Sequence, residues 1–192
     1  AEEIDALNAA GFFFDADGNA RTATQVVAFL NEVISLEDAI NAHPNSENII
    51  QIVNTAFGVN IEDGLSVEEI GILIDAGLFF DIDGNLRTST DTVAFLNLVA
   101  EFQEALIGDG DTPAHPNADN INQVIINAYG VNVQDGLSAA DITTLNMRGF
   151  FYDADGNVRS AANVVGFLNA VAEFQEALEG HTNFDRINAL LI

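Results

Sequence analysis

The chain of 192 residues has no cysteine and no tryptophan. Without cysteine there is no disulfide frame, no thiolate nucleophile and no cysteine-based metal site. Lysine is missing too, and the only basic residues are Arg21, Arg87, Arg148, Arg159 and Arg186. Against these stand 30 acidic residues, giving a formal net charge of -25. Neutralising a phosphate backbone takes clustered Lys and Arg, so no nucleic-acid partner is expected. The same deficit argues against docking on an anionic membrane. No apolar run approaches the roughly 20 residues that a spanning helix needs, so direct membrane insertion is not expected either.

What is present is apolar enough to fold. Hydrophobic residues make up 48% of the chain, too many for a disordered acidic tail. The lack of Lys and Cys, with Ala1 rather than Met in first place, points to a secreted or cell-surface chain from which an N-terminal segment has been removed. An ordinary acidic cytosolic protein is the competing reading. High negative charge keeps a chain soluble at high salt, and divalent cations screen it.

The chain repeats itself. GFFFDADGN from Gly11 returns as GLFFDIDGN from Gly77 and as GFFYDADGN from Gly149. Each is followed by an arginine (Arg21, Arg87, Arg159), a hydroxyl (Thr22, Thr88, Ser160), and then VVAFLNEV, TVAFLNLV or VVGFLNAV. The second and third copies go on identically as AEFQEAL at 100–106 and 172–178. A second block, HPNSENIIQIVNTAFGVNIEDGLSVEEI from His43, recurs from His115 as HPNADNINQVIINAYGVNVQDGLSAADI. HTNFDRINALLI from His181 opens a third copy of it. Gly11 and Gly77 lie 66 residues apart and Gly77 and Gly149 lie 72 apart; an insertion within Ile107–Pro113 (IGDGDTP) accounts for the difference.

The boundaries that follow are a partial unit over 1–42, full units over 43–114 and 115–180, and the first helix of a further unit over 181–192. Repeat units bury their apolar faces on one another, and terminal units need polar caps. Neither AEEIDALNAAG at the start nor Ala-Leu-Leu-Ile at the end is capped. Three arrangements would satisfy them. The incomplete units could complete each other between chains, as a heterologous contact that propagates; they could close within one chain; or the sequence could be a piece of a longer repeat protein.

Each unit reads as helices joined by short turns. The first helix carries Ile49, Ile50, Ile52, Val53, Ala56 and Phe57 and stops at Gly58, or at Gly130 in the next copy. Ser66 with Glu69, and Ser138 with Asp141, read as N-caps of a second helix ending at Gly77. FFFDADGNAR reads as a tight β-hairpin with arms of about three residues, which is marginal alone and must pack on something. Thr22 with Gln25 reads as a capping box for a long helix, which in the second copy runs over about Thr90 to Leu106 with one polar stripe at Asn97, Glu101 and Glu104. A helix so apolar is covered on most sides. The expected fold class is mainly α: a tandem helical repeat of about 66 residues per unit, with a short β-hairpin in each.

The candidate metal ligands are the three DxDGN runs: Asp15, Asp17, Asn19; Asp81, Asp83, Asn85; Asp153, Asp155, Asn157. Alternating carboxylate and amide oxygens suit Ca2+. The runs are not EF-hands, since Gly stands fourth and the twelfth residue is Val26, Thr92 or Val164. A plain Asp/Gly-rich turn needs no ion and competes with the Ca2+ reading. Asn60 with Glu62 and Asp63, and Asn132 with Gln134 and Asp135, read as turn and cap chemistry. Asp109 and Asp111 read as a loop, with a loosely held cation as the alternative. His43, His115 and His181 share one repeat position and read as helix-start hydrogen-bonding groups. Arg21, Arg87 and Arg159 are expected to pair with carboxylates, and the aromatic clusters Phe12–Phe14, Leu78–Phe80 and Phe150–Tyr152 to lie in the core. No nucleophile, base and acid come together and no phosphate-cradling glycine loop is present, so no enzyme activity is expected.

The run AYGVNVQDGLS…RG…NVVGFLNAVAEFQEAL over 128–178, echoed at 56–106, resembles the helical repeat domain of unknown function found in bacterial S-layer proteins and secreted calcium-dependent adhesins. The Trp and Arg-Pro-Asp elements usual there are missing, and the FFFDADGN segment is extra. The resemblance implies cell-surface or matrix attachment rather than catalysis, with a cell-surface glycan as a candidate partner. The function expected is therefore an extracellular structural protein that self-associates head-to-tail into a filament or surface layer, as a homo-oligomer or polymer. The alternative is a calcium-dependent secreted adhesion or ligand-binding module.

Overall fold

The computed structural model describes residues 7–8, 11–14, 18–80, 85–108, 113–153, 157–179 and 181–182. They are mainly helical, in the order α1 (Ala23–Asn41), α2 (Ser46–Phe57), α3 (Val67–Asp75), α4 (Ser89–Ile107), α5 (Ala118–Tyr129), α6 (Ala139–Met147) and α7 (Ala161–Glu179). Short 3-10 turns at Ile61–Asp63 and Val133–Asp135 precede α3 and α6.

Local chemistry places the helix ends. Thr22 and Gln25 form a reciprocal capping box at the start of α1, as do Ser66 with Glu69 on α3 and Ser138 with Asp141 on α6. Each box satisfies amide groups that a helix start otherwise leaves without partners. Thr88 caps α4 by accepting from the Asp91 N–H at 3.1 Å, and Ser160 caps α7 by accepting from that of Asn163 at 3.3 Å. α2 and α5 stop at Gly58 and Gly130, whose φ values of 69° and 75° are left-handed. A side chain there would be strained even though nothing crowds the site.

None of the expected β-hairpins is seen among the described residues. Among the described residues there is no strand, and each segment is held by one isolated antiparallel bridge: Phe14 to Ala20, Phe80 to Leu86, and Tyr152 to Val158. In a strand, neighbouring side chains point to opposite faces. Here consecutive residues go inward together, Leu78 with Phe79 and Phe150 with Phe151. Core packing of these rings wins over a ladder too short to stand alone. The turn residues themselves, 15–17, 81–84 and 154–156, lie outside the described residues, as do most of residues 1–10 and nearly all of the third copy of the second block.

The chain divides into two compact units. One comprises Ala1–Ala100 with Leu137–Val158, so it holds α1, α2, α3, the start of α4, α6 and the described parts of the three aromatic segments. Its core includes Phe12, Phe29, Leu36, Ile40, Ile49, Phe57, Leu73, Phe79, Phe95 and Phe151. A reaching contact inside it is the Asn45 side-chain amide, which donates to Oδ1 of Asn97 at 2.9 Å and ties the start of α2 to α4. The other comprises Glu101–Gly136 with Arg159–Ile192, where α5 packs on α7. There the same tie recurs: Asn117 donates to Oδ1 of Asn169 at 2.9 Å.

Candidate functional site

The long helices α1, α4 and α7 carry the same sequence pattern, yet they differ in what covers them. Phe29 of α1 is buried against Phe79, edge to face at 5.2 Å, and is stacked on Phe80 at 5.8 Å. Phe95 of α4 is buried the same way, edge to face with Phe151 at 5.6 Å and stacked with Tyr152 at 6.4 Å. In each case the aromatic segment of the next copy provides the covering rings. Phe167 holds this position on α7 and is 58% exposed, where Phe95 is 1%. Two turns on, Phe174 is 52% exposed and its counterpart Phe102 is fully buried. Two large rings seven residues apart lie on one side of a helix, so they form a continuous apolar strip in water.

α1 shows the opposite deficit. Val27 and Ile34, again seven apart, are 57% and 67% exposed. Their counterparts Val93 and Ala100 on α4 are 4% exposed, and Val165 and Ala172 on α7 are buried as well. Val93 lines a crevice with Ala39, Ala42, His43 and Pro44, so the residues that shield it come from the end of the preceding long helix and the turn after it. Asn31 is exposed, whereas Asn97 and Asn169 at the same position are partly buried and receive the amides of Asn45 and Asn117.

An arginine marks each covered seam. The Arg21 guanidinium lies 4.3 Å from the Phe80 ring and 5.8 Å from that of Phe29, and its Nη1 donates to the Gly11 carbonyl at 3.1 Å. Arg87 lies 5.3 Å from Phe95 and 5.7 Å from Tyr152. The sequence leads one to expect carboxylate partners for these arginines; the described contacts of Arg21 and Arg87 include aromatic faces, which attract a cation through their quadrupole. Their backbones are fixed as well, Arg21 N–H donating to Phe13 and Arg87 N–H to Phe79, both at 2.8 Å. A cavity of about 380 Å3 opens beside Arg21, lined by Gln25, Phe29, Phe80 and Asn85 among others. In the sequence this seam is marked only by an arginine that recurs eight residues before each Phe-Leu-Asn run.

Of the candidate metal ligands, Asn19, Asn85, Asp153 and Asn157 are described, while Asp15, Asp17, Asp81, Asp83 and Asp155 lie outside the described residues. In the third run the Asp153 carboxylate accepts from the Asn157 backbone N–H at 2.9 Å and from its side-chain amide at 3.3 and 3.2 Å. The Asp153 N–H returns a bond to the Asn157 carbonyl at 2.9 Å. These bonds put protein donors on both carboxylate oxygens. Among the described residues no three His, Asp or Glu side chains converge as a metal site would require.

The remaining polar residues do local work. Nδ1 of His43 accepts from the Asn45 N–H, and Nδ1 of His115 from that of Asn117, each at 3.1 Å, which fixes both helix starts. Asn60 accepts from the Glu62 N–H and donates to Asp63. Asn132 repeats this with Gln134 and Asp135. Glu69 takes the Ser66 hydroxyl and the N–H groups of Ser66 and Asn60, and these bonds hold its carboxyl below the usual carboxylate range.

No protein family, no curated protein and no solved structure matches the chain. The functional reading therefore rests on its own residues.

Proposed function

We propose that the chain is a secreted or surface-displayed tandem helical repeat protein with a structural role, which assembles head-to-tail into a filament or layer. One observation carries this reading. The faces left open on α7 and α1 are those which neighbouring copies close at every other position of the same kind in the chain. A strip of this type in an otherwise acidic surface marks an interaction site. The missing cover has a defined chemistry. Among the described residues, Phe167 lacks the aromatic segment that covers Phe29 and Phe95, while Val27 and Asn31 lack the helix end and His-x-Asn turn found at Val93 and Asn97. A second chain holds both. Its aromatic segment fits the first face, and the Ala177-to-Asn183 stretch of a preceding chain fits the second by sequence, Asn183 matching Asn45 and Asn117. Such a contact joins two different surfaces, so it propagates wherever successive rotations do not close a ring.

Sedimentation velocity over a concentration series, with electron microscopy of the same samples, tests it. Long assemblies are expected for the native chain, and a Phe167→Glu, Phe174→Glu double variant should remain monomeric with its helicity intact. A native chain that is monomeric at all concentrations would overturn the reading.

A further inference from the structure

The two internal seams are alike in enough detail to specify a third. In each, a phenylalanine of the long helix (Phe29, Phe95) meets two successive rings of the following copy. The first ring is edge-on and the second is stacked, with interplanar angles of 88° and 22° at Phe29 and of 81° and 5° at Phe95. In each, the arginine that precedes the helix, Arg21 or Arg87, lies over the phenylalanine and the second ring together. α7 presents the same pair, Arg159 eight residues before an open Phe167.

The rings that could complete it are also in the chain. Phe13 and Phe14 match Phe79–Phe80 and Phe151–Tyr152 in sequence. Phe79 and Phe151 are fully buried, whereas Phe13 is only partly so; Phe14 is 44% exposed, while Phe80 and Tyr152 are partly buried. Phe12, the residue before them, is held in the core by an edge-to-face contact with Phe29 at 5.3 Å, so the segment is anchored while Phe14 stays open and Phe13 partly so. Phe13 is fixed further by its carbonyl, which accepts the Arg21 N–H at 2.8 Å.

We infer that Phe13 and Phe14 of one chain dock on Phe167 of another, Phe13 edge-on and Phe14 stacked, with the Arg159 guanidinium over Phe167 and Phe14. This contact rests on the head-to-tail reading and assigns its partner residues. Aromatic pairing and a cation over two rings are directional, so the seam sets which way the chains join as well as how strongly.

The chain has no native cysteine, so a Phe14→Cys chain and a Phe167→Cys chain can be mixed and oxidised without background. A disulfide-linked 14–167 heterodimer is expected within minutes, and neither variant alone should give an equal yield. In parallel, sedimentation of Phe14→Ala should show the concentration for half-assembly raised by about tenfold or more, the factor carried by one aromatic pair with its cation. Phe14→Tyr, which copies Tyr152, should assemble like the native chain. Circular dichroism should show all three folded, since Phe14 is 44% exposed and Phe12 anchors the segment in the core. If the native chain assembles while Phe14→Ala assembles equally well and no 14–167 link forms, the assigned contact is wrong and head-to-tail assembly stands through other residues. If the native chain does not assemble, both fail.

Discussion

Glu69 shows how much one surface carboxylate can be asked to do. It closes the capping box of α3 with Ser66 and also accepts the N–H of Asn60 at 3.2 Å, joining the helix start to the turn before it. A carboxylate hydrogen-bonded in this way has a folded-state pKa below that of the unfolded chain. Its stabilisation is then complete above the usual 4.5 and is lost as pH falls through the lowered value. Urea unfolding of the native chain and of Glu69→Gln should therefore show a stability difference at pH 7 that narrows by pH 3; a difference that stays constant would mean the charge is not what matters. Such capping groups were legible in the sequence, because Ser-x-x-Glu and Thr-x-x-Gln satisfy amides a fixed three residues away. The aromatic contacts of the arginines were not. That Arg21 meets a ring depends on Phe80, some sixty residues along the chain, and no local pattern supplies that.

Helix ends and helix partners divide along the same line. Gly58 and Gly130 stop α2 and α5 where a left-handed residue is needed, and that requirement can be read from composition. The β-hairpins could not be judged so easily, because residues such as Leu78–Phe80 suit a strand and a core equally well. Packing decided, since both Leu78 and Phe79 are drawn inside. Asn122 is a second case in which tertiary demands override the pattern. It sits buried on the apolar side of α5, where the preceding copy has Ile50. It donates to Asn132 at 2.6 Å and accepts the Val133 N–H at 2.8 Å, fastening α5 to the 3-10 turn. Asn122→Ala removes both bonds and strands their partners, at a cost of about 1–3 kcal/mol, which a shift in the urea midpoint would report. A loss well below that range would show that the turn finds other partners.

Across the chain, identical motifs have unequal surroundings. VVGFLNAV differs little from TVAFLNLV, yet Phe167 is open and Phe95 is not. The recurring motifs stand in the sequence; which of their matching residues lie open became visible only in the fold. The charge of -25 acts on any assembly, because joining chains brings like charges together. Raising NaCl from about 10 mM to about 150 mM shortens the screening length from about 30 Å to about 8 Å, so light scattering should show half-assembly at a lower protein concentration. Assembly that weakens with salt would mean that ion pairs rather than apolar faces hold the joint. Adding Ca2+ at matched ionic strength separates screening from binding: an extra gain with Ca2+ that Mg2+ does not give, and that Asp83→Ala removes, would assign ions to the DxDGN runs.

The likeness between the internal seams and the proposed joint has a mechanical consequence. Two seams of similar strength behave differently under tension when one is spanned by a continuous backbone and the other is not. A fibre of these chains pulled along its length would part at the joints, leaving each subunit folded and its broken ends chemically unchanged. Breakage would then be reversible, and a snapped strand could heal by re-docking the rings it had just released.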